Sequence, residues 1–243
     1  MIFVPYFIGE RSRDHARLAG GEVVAPELPA AGAQQRLAVL YEELAAVVTA
    51  SARPRVLAGD CIATLGVAAG LQRSGIDFHL VWLDAHGDFN TWGTTPSGFL
   101  GGMPLAMLAG LGEQTIVQAL GLRPLAASRI LLVGARDLDP GERENLSRAS
   151  IPRAAVMQVP ALAPPEGPLY VHMDLDVVAT DEMPAVNYPA RGGPSAATVR
   201  LALDHLFATG RVAALSVTCW DPALNGAERS CATSESLIGD LLS

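Results

Sequence analysis

Short runs of large apolar and β-branched residues alternate with amphipathic stretches along the chain. This rhythm is typical of a parallel sheet whose strands are joined by crossover helices. In open parallel sheets ligands bind beyond the carboxyl ends of the strands, so polar residues at those ends are candidates for function. The predicted strands are Ile2–Ile8, Arg55–Ala58, Phe78–Leu83, Ile130–Gly134, Ala154–Val159, Leu169–Met173 and Val212–Thr218.

The longest amphipathic stretch runs from Gln34 to Ala52. Leu37, Leu40 and Leu44 recur there at helical spacing, whereas Glu42 falls on the other side, which predicts a helix that covers the sheet. A chain of 243 residues that is 50% hydrophobic can build one large α/β domain, residues 1–243. Further helices are predicted at Ile62–Arg73, Pro104–Ala109, Gly141–Ser147, Ala196–Ala208 and Ser234–Leu242.

Two polar clusters follow directly after apolar runs. In "VWLDAHGDFN" the run leads into Asp84, His86 and Asp88, and in "LYVHMDLDVV" another run leads into Asp174 and Asp176. Side chains alternate across an extended chain, so residues two apart project to one side. We therefore expect the carboxylates and the imidazole to converge.

The acidic clusters point to a bound cation. Four acids at the ends of buried strands would repel one another and lose hydration unless a cation joined them, and the chain has no Lys. Carboxylates mixed with one imidazole suit a divalent ion such as Mn²⁺ better than a structural Zn²⁺ held by thiolates. Four shared acids favour a two-metal site, which typically makes a hydroxide nucleophile from water near neutral pH.

The overall charge and the cysteines narrow the class of protein. Acidic residues outnumber basic ones by 25 to 17, and the net charge of −8 argues against a general affinity for nucleic acid or anionic membranes. No window is apolar over the length of a membrane span, and the N-terminus lacks a basic leader, so we expect a cytoplasmic protein. Cys61, Cys219 and Cys231 are too few and scattered for a disulfide framework, and reduced thiols are expected.

The motifs resemble those of the ureohydrolases, the arginase and agmatinase superfamily. "GDC" is similar to their Gly-Gly-Asp-His turn, "DAHGDFN" to Asp-Ala-His-x-Asp-x-Asn, and "TTPSGFLGGMPLA" to Ser-Gly-Asn-x-His-Gly-x-Pro. "MDLDVVATDEMPAVNYPARGG" aligns with their Asp-x-Asp through Gly-Gly stretch, so the resemblance covers most of the chain from about residue 55 to 225. It implies a three-layer α/β/α fold with a central, mainly parallel sheet.

The resemblance also implies six ligand positions for a pair of Mn²⁺ ions, two of them bridging. Five of these positions are Asp84, His86, Asp88, Asp174 and Asp176, with Asp84 and Asp174 as the bridging pair. The sixth, a His in the family, is Cys61 here, which is either a soft ligand or a vacated position. Hard Mn²⁺ gains less from sulfur than from imidazole, so we expect the ion on the Cys61 side to be weakly bound or missing.

One end of the implied substrate site follows the arginase branch. "LLVGARDLDPGE" resembles its Gly-x-Arg-Asp-x-Asp-Pro-Gly-Glu pattern, whose second Asp, Asp139 here, lies near the substrate's α-amino group. Asn90 and Ser97 match the positions that hold the α-carboxylate. The resemblance therefore implies a small guanidino amino acid as substrate.

The guanidine end departs from the family pattern. The catalytic His is replaced by Gly101, the Asn before it by Phe99, the Glu that pairs with the guanidinium by Cys219, and a small polar residue by Tyr188. Without that Glu a cationic guanidinium loses its buried partner, which makes arginine a poor fit. An N-hydroxylated guanidine is less basic and bulkier, and Gly101 and Cys219 leave it room.

These departures resemble the Nω-hydroxy-L-arginine amidinohydrolases, ureohydrolases associated with D-cycloserine biosynthesis. We expect hydrolysis of Nω-hydroxy-L-arginine to L-ornithine and hydroxyurea by a metal-bound hydroxide, with Asp88 relaying the proton to the departing amine. His172 occupies a position where the family commonly has a small polar residue. It could be an extra ligand, a proton donor in place of the absent His, or a buried hydrogen-bonded residue, and its depth in the strand favours the last of these.

Two alternatives stay open at this stage. One is a ureohydrolase for another compound, such as arginine, a guanidino acid or formiminoglutamate. The other is a non-catalytic relative that keeps the fold and binds a metal or small molecule without turnover. The sequence does not predict the oligomeric state.

Overall fold

Eight parallel strands form the central sheet of the structure, a computed structural model that describes residues 1–11, 21–218 and 220–242. The ten strands are β1 (Ile2–Val4), β2 (Tyr6–Phe7), β3 (Glu10–Arg11), β4 (Glu22–Val23), β5 (Arg55–Ala58), β6 (His79–Leu83), β7 (Ile130–Val133), β8 (Arg153–Ala154), β9 (Leu169–Asp174) and β10 (Val212–Thr218). The sheet order is β4-β1-β5-β10-β9-β6-β7-β8, and β2 and β3 form a separate antiparallel hairpin. The four central strands β5, β10, β9 and β6 thus have further strands on both sides, β4 and β1 on one and β7 and β8 on the other.

Helices cover both faces of this sheet. They are α1 (Ala33–Ala50), α2 (Ala63–Arg73), α3 (Pro104–Leu108), α4 (Thr115–Ala119), α5 (Pro140–Arg148), α6 (Ala196–Ala208) and α7 (Ala227–Ile238). Alternate strand residues point to opposite faces: Leu80 and Trp82 pack on the side of α1 to α5, and Val81 and Leu83 on the side of α6 and α7. The predicted three-layer α/β/α architecture is therefore confirmed.

Two predicted strands are wrong in extent. The strand predicted over Ile2–Ile8 stops at Val4, because Pro5 has no N–H to continue the ladder, and β2 pairs elsewhere. The strand predicted over Ala154–Val159 is only β8 followed by a 3₁₀ helix, Val156–Ala161. Val156 and Val159 are buried and Met157 is exposed, which is the three-residue period of such a helix.

The last helix begins earlier and ends earlier than predicted. It covers Ala227–Ile238 instead of Ser234–Leu242, and its inner face carries two buried serines, Ser230 and Ser234. Ser230 Oγ accepts a hydrogen bond from the Ala185 N–H (3.0 Å). A face built on small polar residues gives no apolar periodicity, so the pattern missed its first turns. None of the helices within the described ranges is long and apolar enough to cross a membrane.

Candidate metal and substrate site

The acidic clusters lie where the central strands end at one edge of the sheet. β9 pairs with β6 through Leu83 and Met173, and with β10 through Asp174 and Thr218. Since the strands are parallel and in register, Asp84 and Asp174 follow at the same level on neighbouring strands. The turn after β5 brings Cys61 to the same edge, at the start of α2.

Residues 84 to 88 form a turn. β6 ends at Leu83, the Asp84 carboxylate accepts a hydrogen bond from the His86 N–H (2.7 Å), and Asp88 has a φ of +47°. The expectation that an extended chain projects Asp84, His86 and Asp88 to one side is therefore wrong in its mechanism. A left-handed non-glycine residue is costly, and here it directs the Asp88 carboxyl group back into the site.

Two groups of possible metal ligands share Asp84. One contains Asp84, His86 and Asp176, and the other contains Cys61, Asp84 and His172; within each group the ligand atoms lie within 4.8 Å of one another. His86 Nδ1 is 2.9 Å from Asp176 Oδ2 and 3.5 Å from Asp84 Oδ1. Burial alone would lower the pKa of His86, but hydrogen bonds to these two carboxylates raise it to about 12. An imidazolium therefore supplies positive charge at this position when no metal is present.

The carboxyl groups carry the signature of a cation site. Burial, followed by repulsion from a neighbouring Asp, raises the pKa of Asp174 to about 7 and that of Asp176 to about 6. Burial and Asp84 raise the pKa of Asp88 well above its usual range. Among the described residues nothing hydrogen-bonds to Asp88 Oδ2, although that atom is buried. Clustered, dehydrated carboxylates with an unpartnered oxygen fit a divalent cation.

Cys61 and His172 lie on the inner side of this cluster. Cys61 Sγ is 3.1 Å from Asp174 Oδ2 and 3.0 Å from Thr218 Oγ1. The His172 ring is fully buried, its Nδ1 is 2.9 Å from Ser216 Oγ, and burial lowers its pKa to about 3. The expectation that His172 is buried and hydrogen-bonded agrees with the contact of its Nδ1 atom. Among the described residues, however, nothing hydrogen-bonds to its Nε2 atom.

The predicted substrate residues line a cavity of about 280 Å³ above the acidic cluster. Its walls include Cys61, Asp84, His86, Asp88, Asn90, Ser97, Asp139, Asp174, Asp176 and Tyr188. His172 is not among the lining residues, and Cys219 lies outside the described residues. The structure therefore brings together every other residue that the sequence singled out.

Three aromatic rings line part of the cavity. The ring of Phe99 packs against Tyr188 at 4.8 Å and faces Phe7 at 6.2 Å between centroids. A Cβ on Gly101 would overlap the Phe99 ring, so the space next to Gly101 is already filled. No imidazole can extend from position 101 unless Phe99 moves. The expectation that Gly101 leaves room for a bulkier guanidine is therefore wrong, because the Phe99 ring occupies that space.

A polar pair also lines the cavity. Asn90 Nδ2 donates to Asp139 Oδ2 (2.9 Å), and Thr94 Oγ1 donates to Asn90 Oδ1 (3.0 Å), which fixes the orientation of the amide. Asp139 is the N-cap residue of α5. Ser97 Oγ accepts a hydrogen bond from the Phe99 N–H (3.2 Å) at the exposed rim.

Sequence reasoning missed two buried acids that hold the site in shape. Glu142 accepts hydrogen bonds from the N–H groups of Phe89 (2.8 Å) and Asp139 (3.2 Å), and burial raises its pKa to about 7. A Cβ on Gly87 would lie 2.7 Å from the Glu142 carboxyl group, so this approach requires glycine. Glu142 is the third residue of α5 and follows the sequence Asp-Pro-Gly, and this position in a capping pattern was the signal that could have identified it.

Asp60 fixes the turn that carries Cys61. Its carboxylate accepts hydrogen bonds from the N–H groups of Ile8 (2.6 Å) and Ile62 (2.9 Å) and from the Tyr41 hydroxyl (2.9 Å). Burial raises the pKa of Asp60. Three donors on one buried carboxylate indicate a structural role, which positions Cys61.

Comparison with known proteins agrees with this geometry. A family model described as "Arginase family" matches residues 14–243. The arginase of Bacillus subtilis (strain 168) is 29% identical over 217 residues, which cover 84% of this chain and 73% of the relative. The Nω-hydroxy-L-arginine amidinohydrolase of Streptomyces lavendulae is 35% identical over 148 residues, which cover 59% of this chain and about half (52%) of the relative. A crystal structure of arginase from Bacillus subtilis superposes with a TM-score of 0.82 at 26% identity and covers 100% of this chain and 97% of that one.

Proposed function

The chain belongs to the arginase family, and from this membership we propose that it is a single catalytic domain that hydrolyses Nω-hydroxy-L-arginine to L-ornithine and hydroxyurea. One observation carries the choice of substrate. The Asn90–Asp139 pair lines the cavity, and in the same cavity the Phe99 ring fills the space beside Gly101, where the family pattern has its catalytic His. The site thus keeps the residues for an amino-acid group and lacks the arginase residues for a cationic guanidinium. The similarity to the Streptomyces lavendulae amidinohydrolase supports this proposal.

The amino-acid end binds and orients the substrate. Asp139 offers a carboxylate oxygen to a cationic α-amino group, and Asn90 and Ser97 offer donors to the α-carboxylate. Thr94 and Glu142 hold Asn90 and Asp139 in place before the substrate arrives. Such preorganisation places the guanidine carbon over the acidic cluster.

The acidic cluster would hold the metal ions, for which Mn²⁺ is the proposed identity. The ligands would be Asp84, His86, Asp88, Asp174, Asp176 and Cys61. Bound divalent ions lower the pKa of a coordinated water and so supply a nucleophile near neutral pH. His86 would bind as the neutral ring through Nδ1, the atom that faces Asp84 and Asp176.

Asp88 is the proposed proton carrier. In the reaction the oxygen of water bonds to the guanidine carbon, the bond from this carbon to the substrate's Nδ breaks, and Nδ takes up a proton as ornithine leaves. Asp88 is buried in the wall of the cavity, and its carboxyl group would accept the proton of the water and deliver it to Nδ. This role compensates for the imidazole that is absent at Gly101.

The less basic N-hydroxyguanidine suits this site better than arginine does. Its lower basicity removes the need for an acid at position 219, and the Phe99 and Tyr188 rings give the reactive end an apolar wall. A permanently cationic guanidinium would lose hydration against this wall without a compensating partner.

A panel of four substrates tests the proposal. The Mn²⁺-loaded protein is assayed against Nω-hydroxy-L-arginine, L-arginine, agmatine and N-formimino-L-glutamate, with ornithine and hydroxyurea identified by mass spectrometry. We expect turnover of the first compound to be fastest. Faster turnover of any of the other three would overturn the substrate assignment, and turnover of none with metal bound would favour a non-catalytic relative.

A further inference from the structure

His172 forms the end of a buried hydrogen-bond chain that the proposed mechanism does not use. Tyr170 OH is 2.7 Å from Ser216 Oγ, which is 2.9 Å from His172 Nδ1. All three side chains are fully buried. Ser216 therefore holds Nδ1, and when Nδ1 carries the proton and donates it to Ser216 Oγ, the neutral imidazole presents the lone pair of Nε2 on its other side.

Nε2 has no hydrogen-bond partner in the described part of the chain, and the His172 ring lies beside other possible ligands. Nothing hydrogen-bonds to His172 Nε2 although it is buried. A ring nitrogen of His172, Cys61 Sγ and an Asp84 carboxylate oxygen lie within 4.8 Å of one another. Asp174 Oδ2 is 3.1 Å from Cys61 Sγ. A buried imidazole with one unpartnered ring nitrogen, beside a thiol and a carboxylate, fits a metal-binding position.

The second contact of His172 also matches a ligand. Histidines that bind metals almost always use the other ring nitrogen for a hydrogen bond that fixes the tautomer and the ring plane. The Ser216 hydroxyl, itself hydrogen-bonded to Tyr170 OH, supplies such a bond, and Trp82 packs on the His172 ring at 4.1 Å between centroids. Trp82 Nε1 in turn donates to Asp84 Oδ2 (3.0 Å), so the same side chain orients two of the ligands.

We propose that His172 is a metal ligand and that, together with Cys61, it makes the inner half of the centre a site for Zn²⁺ in preference to Mn²⁺. The imidazole that the family pattern places at position 61 is supplied here from β9, and the vacated position supplies a thiolate. Thiolate and imidazole with carboxylates form a donor set that Zn²⁺ prefers, whereas Mn²⁺ prefers oxygen. The outer half, with His86 and carboxylates, keeps the donor set that suits Mn²⁺. Binding of Zn²⁺ releases the Cys61 thiol proton to solvent.

This inference depends on the metal centre of the proposed function but not on the substrate. Zn²⁺ affinity can be measured without any substrate. If a tight Zn²⁺ site is found but Nω-hydroxy-L-arginine is not hydrolysed, only the substrate assignment fails. If the substrate is hydrolysed but no tight Zn²⁺ site is found, only this inference fails.

The test compares metal binding by the full-length chain and four variants. The metal-free proteins are titrated with Zn²⁺ and with Mn²⁺ against a chromophoric chelator, and stoichiometry is checked by elemental analysis. The variants are His172→Asn, Cys61→Ser, Ser216→Ala and, as a matched control on the outer surface of α6, His205→Asn.

We expect wild type to bind one Zn²⁺ at least about 100-fold more tightly than any Mn²⁺. His172→Asn and Cys61→Ser should weaken that site about 100-fold or more, Ser216→Ala about 10-fold, and His205→Asn not at all. Zn²⁺ affinity in His172→Asn within a few fold of wild type, or a wild-type preference for Mn²⁺ at both positions, would overturn the proposal.

A spectroscopic measurement on wild type covers the case in which a variant does not fold. Circular dichroism of the metal-free variants reports their folding. Co²⁺ is then used as a probe for the Zn²⁺ position, and thiolate ligation gives an ultraviolet charge-transfer absorption at the first equivalent. An absorption that requires a second equivalent, or none at all, would contradict the proposal without reference to any variant.

Discussion

At the scale of single residues, two contacts shape the wall of the cavity. Asp139 and Asn90 form a fixed polar pair, whereas Phe99 and Gly101 form an apolar contact. Asn90 Nδ2 donates to Asp139 Oδ2 without any substrate, and this hydrogen bond holds the carboxylate in one orientation. The Phe99 ring leaves no room for an imidazole at position 101.

Removing the charge of Asp139 should damage recognition of the α-amino group. Asp139→Asn keeps a good N-cap residue for α5 but loses the charge, so kcat/KM for Nω-hydroxy-L-arginine should fall about 10- to 100-fold, the worth of one charge-assisted hydrogen bond. An analogue without the α-amino group should be turned over equally by wild type and variant. Asp181→Asn, at an exposed position, serves as the control. Equal losses on both compounds would show that Asp139 is structural only.

A side chain at position 101 that meets the Phe99 ring should lower the free energy of unfolding. Gly101→Ala places a Cβ against the Phe99 ring and should cost about 1 kcal/mol, at the low end for overpacking because the half-buried ring can turn. Gly102→Ala meets nothing within 4 Å and should be neutral or slightly stabilising. Thermal unfolding measures both, and the cost should vanish in a Phe99→Ala background. A cost at position 101 that persists without the ring would contradict the steric explanation.

At the scale of elements, the site depends on how strand ends are joined to the following turns. Arg136 illustrates this. Its guanidinium donates to the carbonyl oxygens of Asp176 (2.9 Å) and Val177 (3.0 Å), and its backbone N–H donates to the carbonyl oxygen of Ala85 (2.8 Å). The turns after β6, β7 and β9 are thereby joined. Glu142 joins the start of α5 to the loop before Asn90, because its carboxylate accepts hydrogen bonds from the backbone N–H groups of Asp139 and Phe89.

Changing Glu142 to Gln should loosen this junction. One of the two carboxylate oxygens becomes an amide NH₂ that faces a backbone N–H, and leaving a buried donor unsatisfied costs about 1–3 kcal/mol. The melting temperature should fall, by about 2–4 °C for each kcal/mol in a chain of this size. Glu144→Gln, exposed on the same helix, is the matched control. Equal melting temperatures of the two variants would exclude the bracing role.

The sequence predicts the strands that hold the site better than the turns that shape it. Apolar runs followed by acids place Asp84 and Asp174 at strand ends whatever the details, because parallel strands end at one edge. The turn at Asp88 and the roles of Glu142 and Asp60 depend on contacts between segments far apart in the chain. Local pattern carries no information on such contacts, and the same reason explains the missed start of α7.

At the scale of the whole molecule, the arrangement of charge links folding to metal binding. The chain has a net charge of −8 and concentrates buried carboxyl groups at one edge of its sheet. Burial raises the pKa values of Asp174 and Asp176, so we expect the metal-free fold to hold protons where the loaded protein would hold cations. Stability should therefore depend on pH and on metal together.

The metal-free protein should become less stable as pH rises from about 4 to 7. An unfolded carboxyl group has a pKa near 4, while burial raises the pKa of Asp174 and Glu142 to about 7 and that of Asp176 to about 6. The folded chain then binds more protons than the unfolded chain, so its stability falls through this range. The raised pKa of His86 extends the same trend above about pH 6.5.

Thermal unfolding at pH 5 and pH 8 measures this dependence. With chelator present the melting temperature should be lower at pH 8, and added Mn²⁺ or Zn²⁺ should raise it more at pH 8 than at pH 5, because metal and protons compete for the same groups. A metal-free protein that is more stable at pH 8, or equal stabilisation by metal at both values, would contradict the coupling.

The preference for an N-hydroxylated guanidine is tested most directly by competition. Equal concentrations of Nω-hydroxy-L-arginine and L-arginine are mixed with the metal-loaded protein, and the initial ratio of hydroxyurea to urea gives the ratio of the two kcat/KM values. A site without an acid for the guanidinium predicts a ratio of about 10 or more, since an unpaired charge in a buried pocket costs over about 1.4 kcal/mol. Urea formed as fast as hydroxyurea would contradict the account.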